Sequence, residues 1–415
     1  MKKTLAILLL LLVVGCGKND KITVEKYAED NGMKLEDTAA ASTVKPKQDS
    51  LLWEYETEGK WYAKPVTSPV QGSGGTVYFG SGDSKIYALD GRTGNCKWEY
   101  NTDLSLTGHP TTASNGTVYI ASQGFNYGEL HALDGTTGER KWLFRTAENT
   151  PPHDCGIGAD GTVYVGSGPL ASDGSSVSCN VFALDGKTGE MKWKFEAQRG
   201  FWHPPAISPD GTVYFSCNDA KVYALDGTTG AMQWKSYLGG QVVKSMAIGA
   251  AGVVYAGSQA GLYALDGNTG ETQWEFTPAG GVHGSLAIDA DGTIYFGAGD
   301  KHVYAVDGQS GEKRWESQPG ESTAHSPAIG ADGTVYFGCH DNTVYALDGK
   351  TGAKRSEFFT DGSVKYAITL GTDGTLYIGS DDKRVRAFAT TSNGPVQSPW
   401  PMFGQNPQHT SRAAR

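Results

Sequence analysis

The stretch Ala-Leu-Asp-Gly-Thr-Thr-Gly-Ala-Met-Gln-Trp, residues 224–234, decides the fold. Tyr223, Ala224 and Leu225 alternate as a half-buried strand does. Asp226-Gly227 and Thr229-Gly230 then supply a tight turn, in which short polar side chains bond nearby amides and glycine accepts positive φ. Trp234 follows on the next strand, a large flat surface that needs burial. The same stretch returns at 88–98, 132–142, 183–193, 264–274 and 305–315. It returns once more at 346–356, with Ser356 where the tryptophan should stand. One module has been copied along the chain.

A second landmark counts the copies. Thr-Val-Tyr or a close variant places its tyrosine at Tyr78, Tyr119, Tyr164, Tyr214, Tyr255, Tyr295, Tyr336 and Tyr377. Units of about forty residues have the length of a four-stranded propeller blade. Short strands joined by tight turns make a small twisted sheet, and sheets with two apolar faces must stack around an axis. The expected fold is therefore all-β, an eight-bladed β-propeller spanning residues 51–390. Glycine at 57 residues, 11% aromatics and only 19% charged residues suit it. The eighth unit ends without the Asp-Gly-x-Thr-Gly turn or a tryptophan. Leu51-Leu52-Trp53-Glu54-Tyr55 looks like Cys96-Lys97-Trp98-Glu99-Tyr100, so the N-terminal strand should complete the last blade and remove the open edges. Residues 391–415 form a C-terminal tail, and its Trp400-Pro401-Met402-Phe403-Gly404 should pack on a face of the ring.

The pattern Ala-x-Asp-x-x-Thr-Gly-x-x-x-Trp resembles the tryptophan-docking motif of propellers related to pyrroloquinoline quinone (PQQ) enzymes. The resemblance implies that Trp53, Trp98, Trp142, Trp193, Trp234, Trp274 and Trp315 each pack against a neighbouring blade, and that the contact at Ser356 is weak. It also carries two functional implications. Quinoprotein alcohol dehydrogenases bind PQQ with calcium on the axis, which makes an oxidoreductase one alternative. The chain is more similar to the outer-membrane assembly factor B (BamB) lipoproteins, where a propeller without cofactor is a scaffold for protein partners in the envelope. On that likeness no cofactor is expected, and a monomeric scaffold without catalysis is the leading reading. A ligand-binding or sensor propeller is the third.

The N-terminus reads as a leader. Lys2-Lys3 precedes an apolar run over residues 5–14, too short to remain as a membrane span. Val13-Val14-Gly15-Cys16 resembles a bacterial lipobox, so residues 1–15 are expected to be removed and Cys16 acylated; an ordinary cleaved leader with an incidental cysteine is the plainer alternative. Residues 16–50 then form a tether. Gly17 stands where enteric bacteria place the aspartate associated with inner-membrane retention, which favours the outer membrane, facing the periplasm. The formal charge of −10 makes nucleic acid an unsuitable partner.

The chemistry-bearing residues are few. Asp90, Asp134, Asp185, Asp226, Asp266, Asp307 and Asp348 recur in register, as turn formers should, and Asp289-Ala290-Asp291-Gly292 occupies the same turn as Ala331-Asp332-Gly333. Counting back from each landmark tyrosine places His109, His153, His203, Lys244, His283 and His325 near the start of an inner strand. Lys365 falls there too, with His340 on the same face. Hairpin counting sets Cys217 across from His203 and Cys339 across from His325. Imidazoles converging on the axis suit a transition metal or an anionic ligand such as a quinone; the plainer reading is a hydrated polar funnel. No metal can be specified from the spacing. Without Cys16 five cysteines remain, an odd number, so at least one thiol is unpaired within the chain. The insertion at 168–178 is a candidate partner-contact loop.

Overall fold

The computed structural model describes residues 50–58, 67–146, 150–168, 179–197, 200, 203–240, 246–320, 324–406 and 408–413. The leader, Cys16 and the tether lie outside them, as does the blade 3 insertion at 169–178.

The strands group into eight antiparallel sheets. Blade 7 shows the plan: inner strand Ala324–Ile329, second strand Thr334–Cys339, third strand Thr343–Asp348 and outer strand Lys354–Phe359, paired in that order. The second strand is buried along its whole length, because a neighbouring blade covers each face; a strand covered on both faces reads as an unbroken apolar run. Outer strands such as Met191–Ala197 instead alternate between buried and exposed. The eighth sheet contains Thr369–Leu370, Leu376–Gly379, Arg384–Phe388 and, as its fourth strand, Leu51–Glu56. Trp53 lies opposite Ala387.

The repeated stretch explains itself at atomic level. The Asp226 carboxylate accepts the amides of Thr228 (3.0 Å) and Thr229 (2.7 Å), while its carbonyl accepts the Gly230 amide (2.8 Å). Gly230 takes φ +74°. A register shift beside Ala224 then sets Trp234 directly across from that alanine. An extra residue of this kind bends the strand and re-aims its side chains. The same shift recurs beside Ala88, Ala264, Ala305 and Ala346.

Each tryptophan reaches the turn of the next blade. The Trp193 indole donates to the Gly227 carbonyl at 2.9 Å, and the Tyr164 hydroxyl donates to the same oxygen at 3.0 Å. A Cβ on Gly230 would stand 2.7 Å from the Trp193 ring. That glycine is therefore required twice, by its backbone angle and by the ring beneath it. Equivalent indole bonds run from Trp98 to Gly135 (3.0 Å), Trp142 to Gly186 (3.0 Å), Trp234 to Gly267 (2.9 Å), Trp274 to Gly308 (3.0 Å) and Trp315 to Gly349 (2.8 Å). Trp53 donates to Gly91 at 2.9 Å, so the last blade meets the first through the same device.

The meeting of blades 7 and 8 differs. Ser356 is exposed. The partner turn is missing as well, since Arg384–Phe388 runs straight into the tail. Phe358 fills part of the gap, with its ring 5.4 Å from that of Phe388. The tail fills the rest: Ala331 donates its amide to the Gly394 carbonyl (2.9 Å), and the Thr391 hydroxyl donates to Asp332 (2.7 Å).

The tail then enters the axis, which corrects the expectation that it packs on a face. Trp400, Met402, Phe403 and His409 are all buried. Inner strands present amides that no further strand pairs, and the tail carbonyls accept them. Ile288 donates to Trp400 (2.7 Å), Ile329 to Pro401 (2.9 Å), Thr112 to Gln408 (2.9 Å) and Ile157 to Thr410 (2.9 Å). Buried backbone groups need such partners, and a tail along the axis supplies them to several blades at once.

Candidate axial ligand site

His109 stands just before the inner strand of blade 2, Thr111–Thr112. Its Nδ1 accepts the Ser68 amide at 3.0 Å, and its own amide donates to Asp154 at 2.5 Å. Its ring meets the edges of Tyr366 and Phe403 at centroid distances of 5.5 and 5.4 Å. Beside it, His203, Asp154, Lys365, Tyr366 and Phe403 line a cavity of about 40 Å³. Lys365 is paired with Asp381. A second cavity of about 120 Å³ lies against His109 and Tyr366.

The other residues of the expected mouth part company. His153 is buried, with Nε2 3.4 Å from the Gly168 carbonyl. His283 is exposed and covers Gly299, where a Cβ would stand 2.9 Å from its Nε2. His340 is exposed in its turn. Lys244 lies outside the described residues, and so does the side chain of His325. The cysteine register needs correction. Cys339 pairs with Ala324, and His325 pairs with Gly338, because a shift between His325 and Ala328 displaces the count by one. His203 precedes the inner strand Ala206–Ile207 and is opposite no residue of the second strand. Burial pushes the Cys339 thiol up to about 11 and that of Cys155 up to about 12. Both are protonated at neutral pH, and a thiol in that state is a poor metal ligand. Among the described residues no three His, Cys, Asp or Glu side chains are grouped to hold a metal ion.

The repeated aspartates behave as turn formers, each accepting two amides of its own turn; in the Asp289–Gly292 turn, Asp291 likewise accepts the Thr293 amide at 2.9 Å. A model of the outer membrane protein assembly factor BamB family matches residues 36–194, 151–249 and 218–397. The chain belongs to this family. Among solved structures it is similar to BamB from Moraxella catarrhalis, with 22% identity, TM-score 0.65, and coverage of 82% of this chain and 98% of that one. The computationally designed Ika8 protein gives 16% identity and TM-score 0.68 over 82% and 100%. The quinohemoprotein alcohol dehydrogenase ADHIIG from Pseudomonas putida HK5 gives 16% and 0.65 over 85% and 77%. At these identities the likeness shows the fold alone. No curated protein sequence matches the chain.

Within this BamB-family propeller the axial cavity that the described residues line is too small for PQQ with calcium. Pockets for ligands of that size span roughly 300–1,000 Å³, whereas the cavity beside His109 and His203 measures about 40 Å³. Phe403 and His409 fill the axis below it, their rings 5.1 Å apart. His409 Nε2 lies 3.1 Å from the Thr369 hydroxyl. Burial, with His109 nearby, pulls its pKa down to about 3, so the axis holds a neutral imidazole. Sequence reasoning missed this residue because the tail carries no repeat from which to count. It also missed His131, buried beside the Ser122 hydroxyl at 2.8 Å. His131 occupies the third-strand position held by Tyr87, Tyr223 and Tyr304 in other blades, and its role there is packing.

Proposed function

We propose that the chain is a non-catalytic scaffold for protein partners in outer-membrane protein assembly. The family match across residues 36–397 carries this reading. An axis filled by the chain's own aromatic side chains supports it further, since the propeller then offers its loops and rims to partners. The dehydrogenase likeness extends to the fold only. Acylation of Cys16 and a periplasm-facing place on the outer membrane belong to the same proposal, motivated by Val13-Val14-Gly15-Cys16. Among the described residues no helix is long and apolar enough to cross a membrane.

The test is an affinity pull-down from detergent-solubilised envelope, with the Cys16→Ala chain beside the natural one. The expected outcome is recovery of outer-membrane protein assembly subunits, with the variant lost from the membrane fraction. A pull-down free of those subunits would overturn the scaffold reading, and membrane retention of the variant would overturn the anchor.

A further inference from the structure

The ends of the inner strands away from the histidines border another cavity. It is a cleft of about 670 Å³ at the first turns of blades 3 and 4, bounded by Ala159, Asp160, Tyr164, Asp210, Gln405 and Arg412. Its size falls within the range of ligand pockets. Two of its polar groups are committed to the fold. The Tyr164 hydroxyl donates to the Gly227 carbonyl at 3.0 Å. Asp160 accepts the Thr162 amide at 2.9 Å, and the Lys192 ammonium lies 3.5 Å from its other oxygen.

Three groups are left over. Asp210 takes the Thr212 amide (2.9 Å) and the Ser208 hydroxyl on a single oxygen, Oδ1. Burial raises its pKa, but those two bonds outweigh burial and hold it below the ordinary carboxylate value. It is therefore an anion at neutral pH, and among the described residues no cation pairs with it. Arg412 is half-buried, and its guanidinium has neither an ion pair nor a hydrogen bond among the described residues. Gln405 is only 8% exposed, yet its side-chain amide has no hydrogen bond among them either. A polar side chain so deeply buried ordinarily has a partner.

Asp210 and Arg412 thus carry opposite charges on one cleft without pairing with each other. With Asp160 offset by Lys192, the uncommitted charges sum to zero. An anionic ligand would be met by Asp210 and a cationic one by Arg412, so the matching ligand carries both signs. We infer that the cleft binds zwitterionic peptides of two or three residues with uncharged side chains, the terminal carboxylate on Arg412 and the terminal ammonium on Asp210. An acid, an amide and a guanidinium are the complement of an ammonium, a peptide group and a carboxylate. Guanidinium takes a carboxylate through two parallel bonds, and the Gln405 amide offers the donor and acceptor that a peptide group needs. Sugar hydroxyls could reach the same groups, but bonds with charge on both sides are stronger. A single amino acid would leave most of the cleft empty. The inference concerns the propeller alone and goes beyond the envelope role proposed above; either can fail without the other.

Titration calorimetry and thermal melts of the full chain test it. The probes are di- and tripeptides of alanine, leucine, serine and phenylalanine, their N-acetylated and C-amidated copies, and the sugars glucose and maltose. At least one free peptide should bind with a Kd below about 1 mM and raise the melting temperature by mass action. Blocking either terminus should weaken it by about tenfold or more. Arg412→Gln should bind the free peptide no better than its amidated copy, and Asp210→Asn no better than its acetylated copy. Without peptide both variants should melt as the natural chain does, because the asparagine oxygen keeps both turn bonds and the guanidinium holds nothing in the fold. Binding by no peptide, binding indifferent to the terminal blocks or to both substitutions, or binding of the sugars in place of the peptides would each overturn the inference.

Discussion

Seven blade interfaces are made by a tryptophan and a turn; the eighth, between blades 7 and 8, is made by a phenylalanine and the tail. The contrast teaches that the docking motif is a device in two halves. At the Trp193 interface the indole supplies area and one hydrogen bond, while the next blade supplies the Gly227 carbonyl and a Gly230 without a Cβ. Where blade 8 offers no such turn, Ser356 has nothing to dock on. Its loss of tryptophan follows from the missing receiver and need not be a defect.

Removing the tail should break the contrast most severely. Deleting residues 391–415 removes the buried side chains of Trp400, Met402 and Phe403 and leaves the Ile288, Ile329 and Ile157 amides without acceptors. Burial of three large apolar side chains is worth on the order of 5 kcal/mol or more. Denaturant titration should show a loss exceeding that of any single docking substitution; a loss below that of Trp234→Ala would show the tail to be an ornament.

The tryptophan comparison comes next. Trp234→Ala should cost about 3–5 kcal/mol, the range for emptying a buried aromatic site. Ser356→Trp, the reverse change at the odd interface, should alter stability by no more than about 0.5 kcal/mol, as an exposed substitution with nothing to receive it. A clear gain from Ser356→Trp would mean that tryptophan alone makes a docking contact, and the two-half account would fail.

The smallest effect is in acid. Asp226 and its counterparts are held below their ordinary carboxylate value by the amides they accept, except that in Asp307 and Asp348 the guanidinium of Arg314 or Arg355 acts first of all, bringing Asp307 to about 2. A carboxyl with a depressed folded-state pKa contributes stability that is complete above the unfolded value and is lost as pH falls through the folded one. The docked interfaces should therefore weaken below about pH 4, and so should the blade 7–8 contact, where Asp332, lowered despite its burial by the Thr391 hydroxyl, loses its charge in the same way. Thermal melts from pH 6 to pH 2 should show a shallower decline for Asp226→Asn, with little change at pH 7 because the amide oxygen still accepts both bonds. An unchanged slope would remove the turn carboxylates from the account.

The readable part of the molecule was the part that repeats. Blade number, docking tryptophans and turn aspartates follow from local chemistry copied in register, and Trp53 betrayed its strand by likeness to Trp98. What stayed hidden depends on contacts between distant, unrepeated pieces. Phe403, His409 and Arg412 acquire their surroundings from inner strands of many blades, and no periodicity in the tail points at them. The cysteine register failed for a smaller reason: the shift between His325 and Ala328 moves Cys339 by one place, which a fixed offset from Tyr336 does not register.

The strand Leu51–Glu56 has a consequence for how the molecule comes into being. It is the first piece of the ring to be synthesised, and its partner Arg384–Phe388 is nearly the last; the Arg384 guanidinium bonds Glu56 across 328 residues of chain. Bringing together ends so far apart carries a loop-closure entropy that local hairpins do not, and domains dominated by such non-local pairing fold slowly. Blades 1 to 7 can each form their own hairpins early, yet none of them can shut the circle. Until the final strand arrives, Leu51–Glu56 waits with its edge unpaired, so the last step of assembly is the meeting of the oldest and youngest parts of the same chain.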